Sequence, residues 1–240
     1  MDNTFTDRIL SRYPHASLLQ RWHMRGRLRL CPYDTLLKHL TGGENLLDIG
    51  CGFGHLAWYL ADSGSRLRYY GADIDARKVD LALGTLAVAG AGGGPVAAGD
   101  DFAIPTEGGG EKPIFLCGDI QELRTLPDHF GNIVMLDVLY LMPWESQMRM
   151  MAWALGRLSP GKDSALIIKT MDPAEGFSGF RAVAEEWIMV RLLRRTMSSG
   201  ELNGMQPFSA YTDFAAANGF RCEREALPTF NPSSILRIHR

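Results

Sequence analysis

Apolar and polar positions change rhythm repeatedly from residue 45 onward. "NLLDIG" (45–50) is a short apolar run closed by glycine, the pattern of a buried strand. "HLAWYLADSG" (55–64) then carries apolar residues at helical spacing and stops at Ser63-Gly64. The alternation continues: "RLRYYGADID" predicts a strand, "ARKVDLALGTLAVAG" a helix, "PIFLCGDI" and "NIVMLDVLY" two more strands. "ESQMRMMAWALGRLSPG" predicts a helix with a Pro-Gly stop, "SALIIKT" a strand and "YTDFAAANGF" a helix. "RCERE" and "SSILRIHR" close the chain as two strands joined by a short turn-rich stretch. That predicts a hairpin and one antiparallel strand near the C-terminus. Strands alternating with helices predict parallel crossovers and a doubly wound α/β sheet, here of seven strands. Residues 1–44 read as a helical N-terminal cap, and 45–240 as the main domain.

Two segments break the rhythm. "AGAGGGPVAAGDDFAIPTEGGGEKP" places a Gly-rich insertion at about 90–113, long for a compact domain. Residues 172–212 hold a helical stretch over roughly 179–197, with Trp187, Met189, Leu192 and Leu193 beside Arg191, Arg194 and Arg195. Such a stripe is core with a basic face, an apolar acceptor wall, or a surface that touches a membrane.

Composition narrows the classes. The chain has 240 residues, enough for a large core, and a formal net charge of −2, which argues against a bulk nucleic-acid binder. Four cysteines, Cys31, Cys51, Cys117 and Cys222, form no CxxC pair. No metal site or disulfide framework is expected, and a reducing cytoplasm fits. The N-terminus lacks the apolar run of a signal peptide.

The chemistry begins at "NLLDIGCGFGHLAWYLA" (45–61). Gly50, Gly52 and Gly54 bare the backbone between a strand and a helix start, where ligands bind in open parallel sheets. Asp48 sits beside them. A carboxylate there repels phosphate and suits a ligand with positive charge. The dinucleotide fingerprint G-x-G-x-x-G needs glycine at position 55, which is His55 here.

"LLDIGCGFG" resembles the first motif of class I S-adenosylmethionine-dependent methyltransferases. "GADIDARKV", "CGDIQEL", "FGNIVMLDVLYLMP" and "LGRLSPGKDSALIIK" resemble later motifs of that family in the same order, over about residues 44–170. The resemblance implies a Rossmann-like sheet and S-adenosylmethionine as cofactor. It places Gly50, Cys51, Gly52 and Gly54 under the methionine moiety, with Asp48 near its ammonium. Asp73, followed by Ile74, would hold the ribose, with Asp75 as competitor. Asp119 and the Ile120 backbone would hold the adenine, and Asp137 would close over the methionine part. Lys169 and Asp172 end the fifth strand on the side where an acceptor would bind.

The implied reaction is in-line methyl transfer to a small organic or lipid-like acceptor, free or carrier-bound. Oxygen leads as acceptor atom, with carbon and nitrogen open. No residue stands out as catalyst. Tyr140, His15 and His23 are candidates, and His55 is a further one. Two other readings stay open: a non-catalytic cofactor-binding regulatory or scaffold subunit, and an NAD-linked oxidoreductase. Peripheral membrane contact is possible, and the oligomeric state is not legible.

Overall fold

The computed structural model describes residues 3–88, 112–172, 205–227 and 233–240. In chain order the elements are α1 (Asn3–Ser11), α2 (Leu18–Leu30), α3 (Tyr33–His39), β1 (Asn45–Ile49), α4 (His55–Asp62), β2 (Arg68–Asp73) and α5 (Ala76–Val88). They continue with β3 (Ile114–Cys117), β4 (Asn132–Leu136), α6 (Trp144–Gly156), β5 (Ala165–Met171), α7 (Phe208–Ala217), β6 (Arg221–Ala226) and β7 (Ser233–His239). The Gly-rich insertion, except Lys112 and Pro113, lies outside the described residues. So do 173–204, which hold most of the expected acceptor region and the helical stretch at 179–197.

The seven strands follow the order β3-β2-β1-β4-β5-β7-β6. β7 runs antiparallel to both β5 and β6, and the other pairs recorded are parallel. This is the expected Rossmann-like sheet, with its antiparallel strand at the C-terminal hairpin. The strand order reverses at β1, the kind of position where open α/β sheets bind ligands.

By internal contacts the chain parts into two compact units, 1–37 with 44–128 and 38–43 with 129–240. In the first, local chemistry fixes the helix starts. Ser17 caps α2 in a capping box with Gln20, and Arg27 and Arg29 sit in its last turn, where cations suit the helix dipole. β1 and β2 pair in register from Asn45 with Arg68 to Ile49 with Ala72. Leu46, Leu47, Tyr69 and Ala72 bury between the layers.

In the second unit β5 is buried along its whole length. β6 is an edge strand, and its exposed charges, among them Arg221, Glu223 and Arg224, discourage edge pairing. Asn132, fully buried, ties the loop before β1 to β4: its side chain donates to the Gly42 carbonyl and accepts from the Gly42 N–H at 3.3 Å. The backbones touch here because neither partner has a side chain. A Cβ on Gly131 would stand 2.1 Å from the Gly42 oxygen.

This contact generates a stability prediction. Gly131→Ala forces two backbones apart and should cost about 3 kcal/mol, roughly 6–12 °C in Tm for a chain of this size. Thermal unfolding by circular dichroism checks it, and an unchanged Tm would contradict the close approach.

Candidate functional site

The turn after β1 is built from backbone and carboxylates. Gly50 and Cys51 both donate their N–H to the Ala72 carbonyl, at 2.7 and 3.1 Å, which bends the chain sharply off β1. Gly50, Gly52 and Gly54 have φ of 75°, 56° and 75°, a region costly for residues with a Cβ. Their reasons differ. A Cβ on Gly54 would meet the Phe115 ring at 2.5 Å, so this glycine admits β3 packing, whereas nothing stands within 4 Å of a Cβ on Gly52. Gly52 is therefore a bare point of the turn.

Asp73, at the end of β2, fastens that point. One of its carboxylate oxygens accepts from Gly52 N–H at 2.9 Å and the other from Asp75 N–H at 2.8 Å. Asp75 spends its own carboxylate differently. It accepts from the Arg77 backbone at 3.1 Å and from the Arg77 guanidinium through two nitrogens at 3.0 Å. Burial works to raise the Asp75 pKa, but the Arg77 hydrogen bond and the Lys78 and Arg77 charges outweigh it, and the net shift is downward. Ile74 between them is exposed.

Asp48 is buried in β1, and the Tyr69 hydroxyl donates to it at 2.5 Å. Burial pushes the Asp48 carboxyl up to about 7; the Tyr69 hydrogen bond works against that rise and the Asp73 charge adds to it. Burial, then the Asp48 charge, keep the Tyr69 phenol well above its usual range, so Tyr69 stays a neutral donor. Gly71 makes room for the pair: a Cβ there would stand 2.8 Å from the Tyr69 ring. Burial likewise keeps the Cys51 thiol protonated, reinforced by the charges of Asp48 and Asp73. Asp119 is exposed past β3, where it accepts from Gln121 N–H at 3.0 Å, and Ile120 is buried.

The N-terminal helices reach the same turn. Tyr13 donates its hydroxyl to the Phe53 carbonyl at 2.6 Å, and the His23 ring lies 6.0 Å from that of Phe53. His15 is exposed on the surface. His55 is buried against Tyr13 and Phe53, and burial, then the Arg27 and His23 charges, depress its pKa to about 3. It is a neutral packing residue at ordinary pH.

The second unit holds Asp137, Tyr140, Lys169 and Asp172. Asp137 is the non-glycine residue with left-handed backbone among the described residues, at φ 58°. Lys169 donates to both its carboxylate oxygens at 2.6 Å, and both side chains are about 8 % exposed. Strain together with a buried ion pair is a costly arrangement that marks function more often than stability. Tyr140 is almost wholly buried and packs on Met171, Leu141 and Met205. Asp172 accepts from Phe208 N–H at 2.9 Å and so starts α7. No group of three or more metal-ligating side chains gathers among the described residues.

Tyr69, Tyr13 and Phe115 escaped the sequence reading. Tyr69 meets Asp48 only through the β1–β2 register, which pairs Asp48 with Gly71, two residues beyond it.

Residues 33–104 match the family model described as methyltransferase small domain. No curated protein matches the chain. Among solved structures, the chain is similar to magnesium protoporphyrin IX methyltransferase from Synechocystis with bound SAH. The identity is 21 %, the TM-score 0.61, and the match covers 99 % of this chain and 95 % of that one. It is also similar to an O-methyltransferase family protein from Burkholderia thailandensis, at 14 % identity and TM-score 0.59, over 96 % and 62 % of the chains. A third is an O-methyltransferase from neocarzinostatin biosynthesis in complex with S-adenosylmethionine and 2-hydroxy-5-methyl naphthoic acid. There the identity is 16 % and the TM-score 0.52, over 82 % and 48 %. The fold is that of class I methyltransferases.

Asp48 sets a titration test. Its folded pKa lies above the ordinary 3.8, so its contribution to stability is complete below about pH 4 and is lost as pH rises through about 7. Tyr69→Phe removes the one cause that lowers this pKa, so the Asp48 carboxyl should titrate above 7 in side-chain carboxyl NMR. A midpoint that stays or falls would contradict the assigned hydrogen bond.

Proposed function

We propose that this chain, built on the class I methyltransferase fold, transfers a methyl group from S-adenosylmethionine to a small organic or lipid-like acceptor, with oxygen as the atom methylated. One observation carries the reading: a bare glycine turn is fastened to β2 by the Asp73 carboxylate and stands beside the buried acid Asp48. This donor set suits the cofactor. Two acids and open backbone fit an ammonium and a pair of ribose hydroxyls, and they repel the pyrophosphate of a dinucleotide. Support for oxygen comes from the O-methyltransferases among the similar structures, and for an organic acceptor from the naphthoic acid bound in one of them.

Roles follow for residues of this chain. Asp73 keeps one lone-pair direction on each oxygen after its two backbone bonds, enough to accept from ribose hydroxyls. Asp75, held by Arg77, is committed to the start of α5. Asp48, ionised, attracts the ammonium; Asp119 is placed to accept from the adenine amino group, with the Ile120 backbone beside it. Within the second unit, Asp137 is fixed by Lys169. Bound S-adenosylmethionine supplies an activated methyl whose leaving group is neutral, so no acid is needed for departure. Alignment then provides much of the rate, and a base is needed only when the acceptor must lose a proton. Tyr140 is too enclosed for that task in this conformation, and His15 stands in solvent. His23 lies against Phe53 of the turn.

Three measurements test the proposal. Mass spectrometry of a cell extract incubated with the protein and labelled cofactor should show a species that gains one methyl group. No labelled product at saturating cofactor would favour a binding-only subunit. In calorimetry, Asp73→Ala should weaken S-adenosylmethionine binding by about 1.5–3 kcal/mol, roughly 10- to 150-fold. Unchanged affinity would shift the ribose role to Asp75, and binding of NAD alone would overturn the assignment. Finally, a cation binds the ionised form of Asp48, so affinity should fall by up to about tenfold per pH unit below pH 7. Asp48→Asn should flatten that slope; the same slope in the variant would remove Asp48 from ammonium recognition.

A further inference from the structure

Helix α2 carries an uncovered face. Leu18 is 87 % exposed, Trp22 62 % and Leu19 46 %, three of the four large apolar side chains that stand out in solvent among the described residues. Single exposed apolar residues are ordinary, but a cluster on one helix marks an interaction surface. At helical spacing Leu18, Trp22, Arg25 and Arg29 share one side, and Arg25 and Arg29 are exposed too. The opposite side is anchored: Met24 and Leu28 are fully buried. The helix, "LLQRWHMRGRLRL", contains four arginines and no acid. Residues 1–44 hold seven Lys and Arg against four acids, a net +3, in a chain of net −2. Arg25 meets Asp7 at 2.7 Å, but both side chains are about half exposed, so solvent screens the pair.

We propose that α2 is an interfacial helix that docks the protein on an anionic lipid surface. Leu18, Leu19 and Trp22 enter the headgroup layer at one end of the helix, while Arg25 and Arg29 lie over lipid phosphates at the other. A Trp- and Leu-bearing face with arginines and no acids is the pattern of helices that lie in the membrane plane. Other occupants fit less well. A second copy docked face to face would bring two sets of arginines together. A nucleic acid gives the apolar cluster nothing to bury against, since its contact surfaces are polar. Docking would also bring lipid close to the glycine turn, because His23 of the same helix packs on Phe53. A lipid-phase acceptor would then be presented there; this last step rests on the proposed methyl transfer, and the docking itself does not.

The test is flotation of the full chain with phosphatidylcholine vesicles, with and without phosphatidylserine. Binding should require phosphatidylserine and weaken as salt is raised. Arg25→Gln with Arg29→Gln should lower vesicle affinity roughly thirtyfold. Leu18→Ser with Trp22→Ser should lower it at least about tenfold. All these side chains are exposed, so circular dichroism and Tm should match the parent, and cofactor binding should persist. Four outcomes would overturn the proposal: no vesicle binding, equal binding to pure phosphatidylcholine, parental binding by both variants, or loss of a dimer or of a protein or RNA partner in their place. None of them touches the cofactor assignment, which calorimetry reads separately.

Discussion

The hydrogen bonds from the Asp73 carboxylate to the backbones of Gly52 and Asp75 organise the first unit. One side chain at the end of β2 holds both the glycine turn of β1 and the turn that starts α5. The bond to Gly52 leaves the tip of the turn open, since nothing stands within 4 Å of where a Cβ on Gly52 would be. A ligand can therefore reach backbone at that point while carboxylates stand on either side of it. The local charge is negative, and that selects against phosphates before any detail of shape matters.

The second consequence concerns Asp48. A buried acid with a pKa of about 7 is poised between its neutral and charged forms at physiological pH. Tyr69 stabilises the charged form by one hydrogen bond, and Gly71 exists as glycine to let that ring in. Ionisation of Asp48 and arrival of a cation favour each other. Binding energy and proton release are thereby linked at Asp48. The second unit solves the same problem differently, since Asp137 has Lys169 as a permanent counter-ion.

Much of this was legible in the chain. "NLLDIG" followed by a helical period sufficed for β1, the turn and α4, because a glycine-closed apolar run and 3.6-residue spacing are local signals. The seven strands and the antiparallel C-terminal strand followed from the same rhythm and the short closing hairpin. Asp48 drew notice because a carboxylate beside a glycine turn repels phosphate and suits a cation, and Asp73 because it ends a strand where the resemblance places the ribose. What stayed hidden depends on register and distance in sequence. Tyr69 reaches Asp48 only through strand pairing. Phe115 explains Gly54 from 61 positions away. The different commitments of Asp73 and Asp75 emerge only with Arg77 in place. The exposure of Leu18 and Trp22 is likewise a tertiary fact: nothing in "LLQRWHMRGRLRL" tells which of its leucines another helix will cover.

We propose that carboxylates and bare backbone at the β1 end receive a cationic amino acid joined to a nucleoside. A crystal structure with S-adenosylhomocysteine addresses it most directly. The amino-acid moiety should lie over Gly52 with its ammonium toward Asp48, and the ribose hydroxyls should rest on Asp73. Density for the ligand elsewhere on the chain, or an Asp73 carboxylate that keeps only its two backbone bonds while the ribose lies on Asp75, would contradict it.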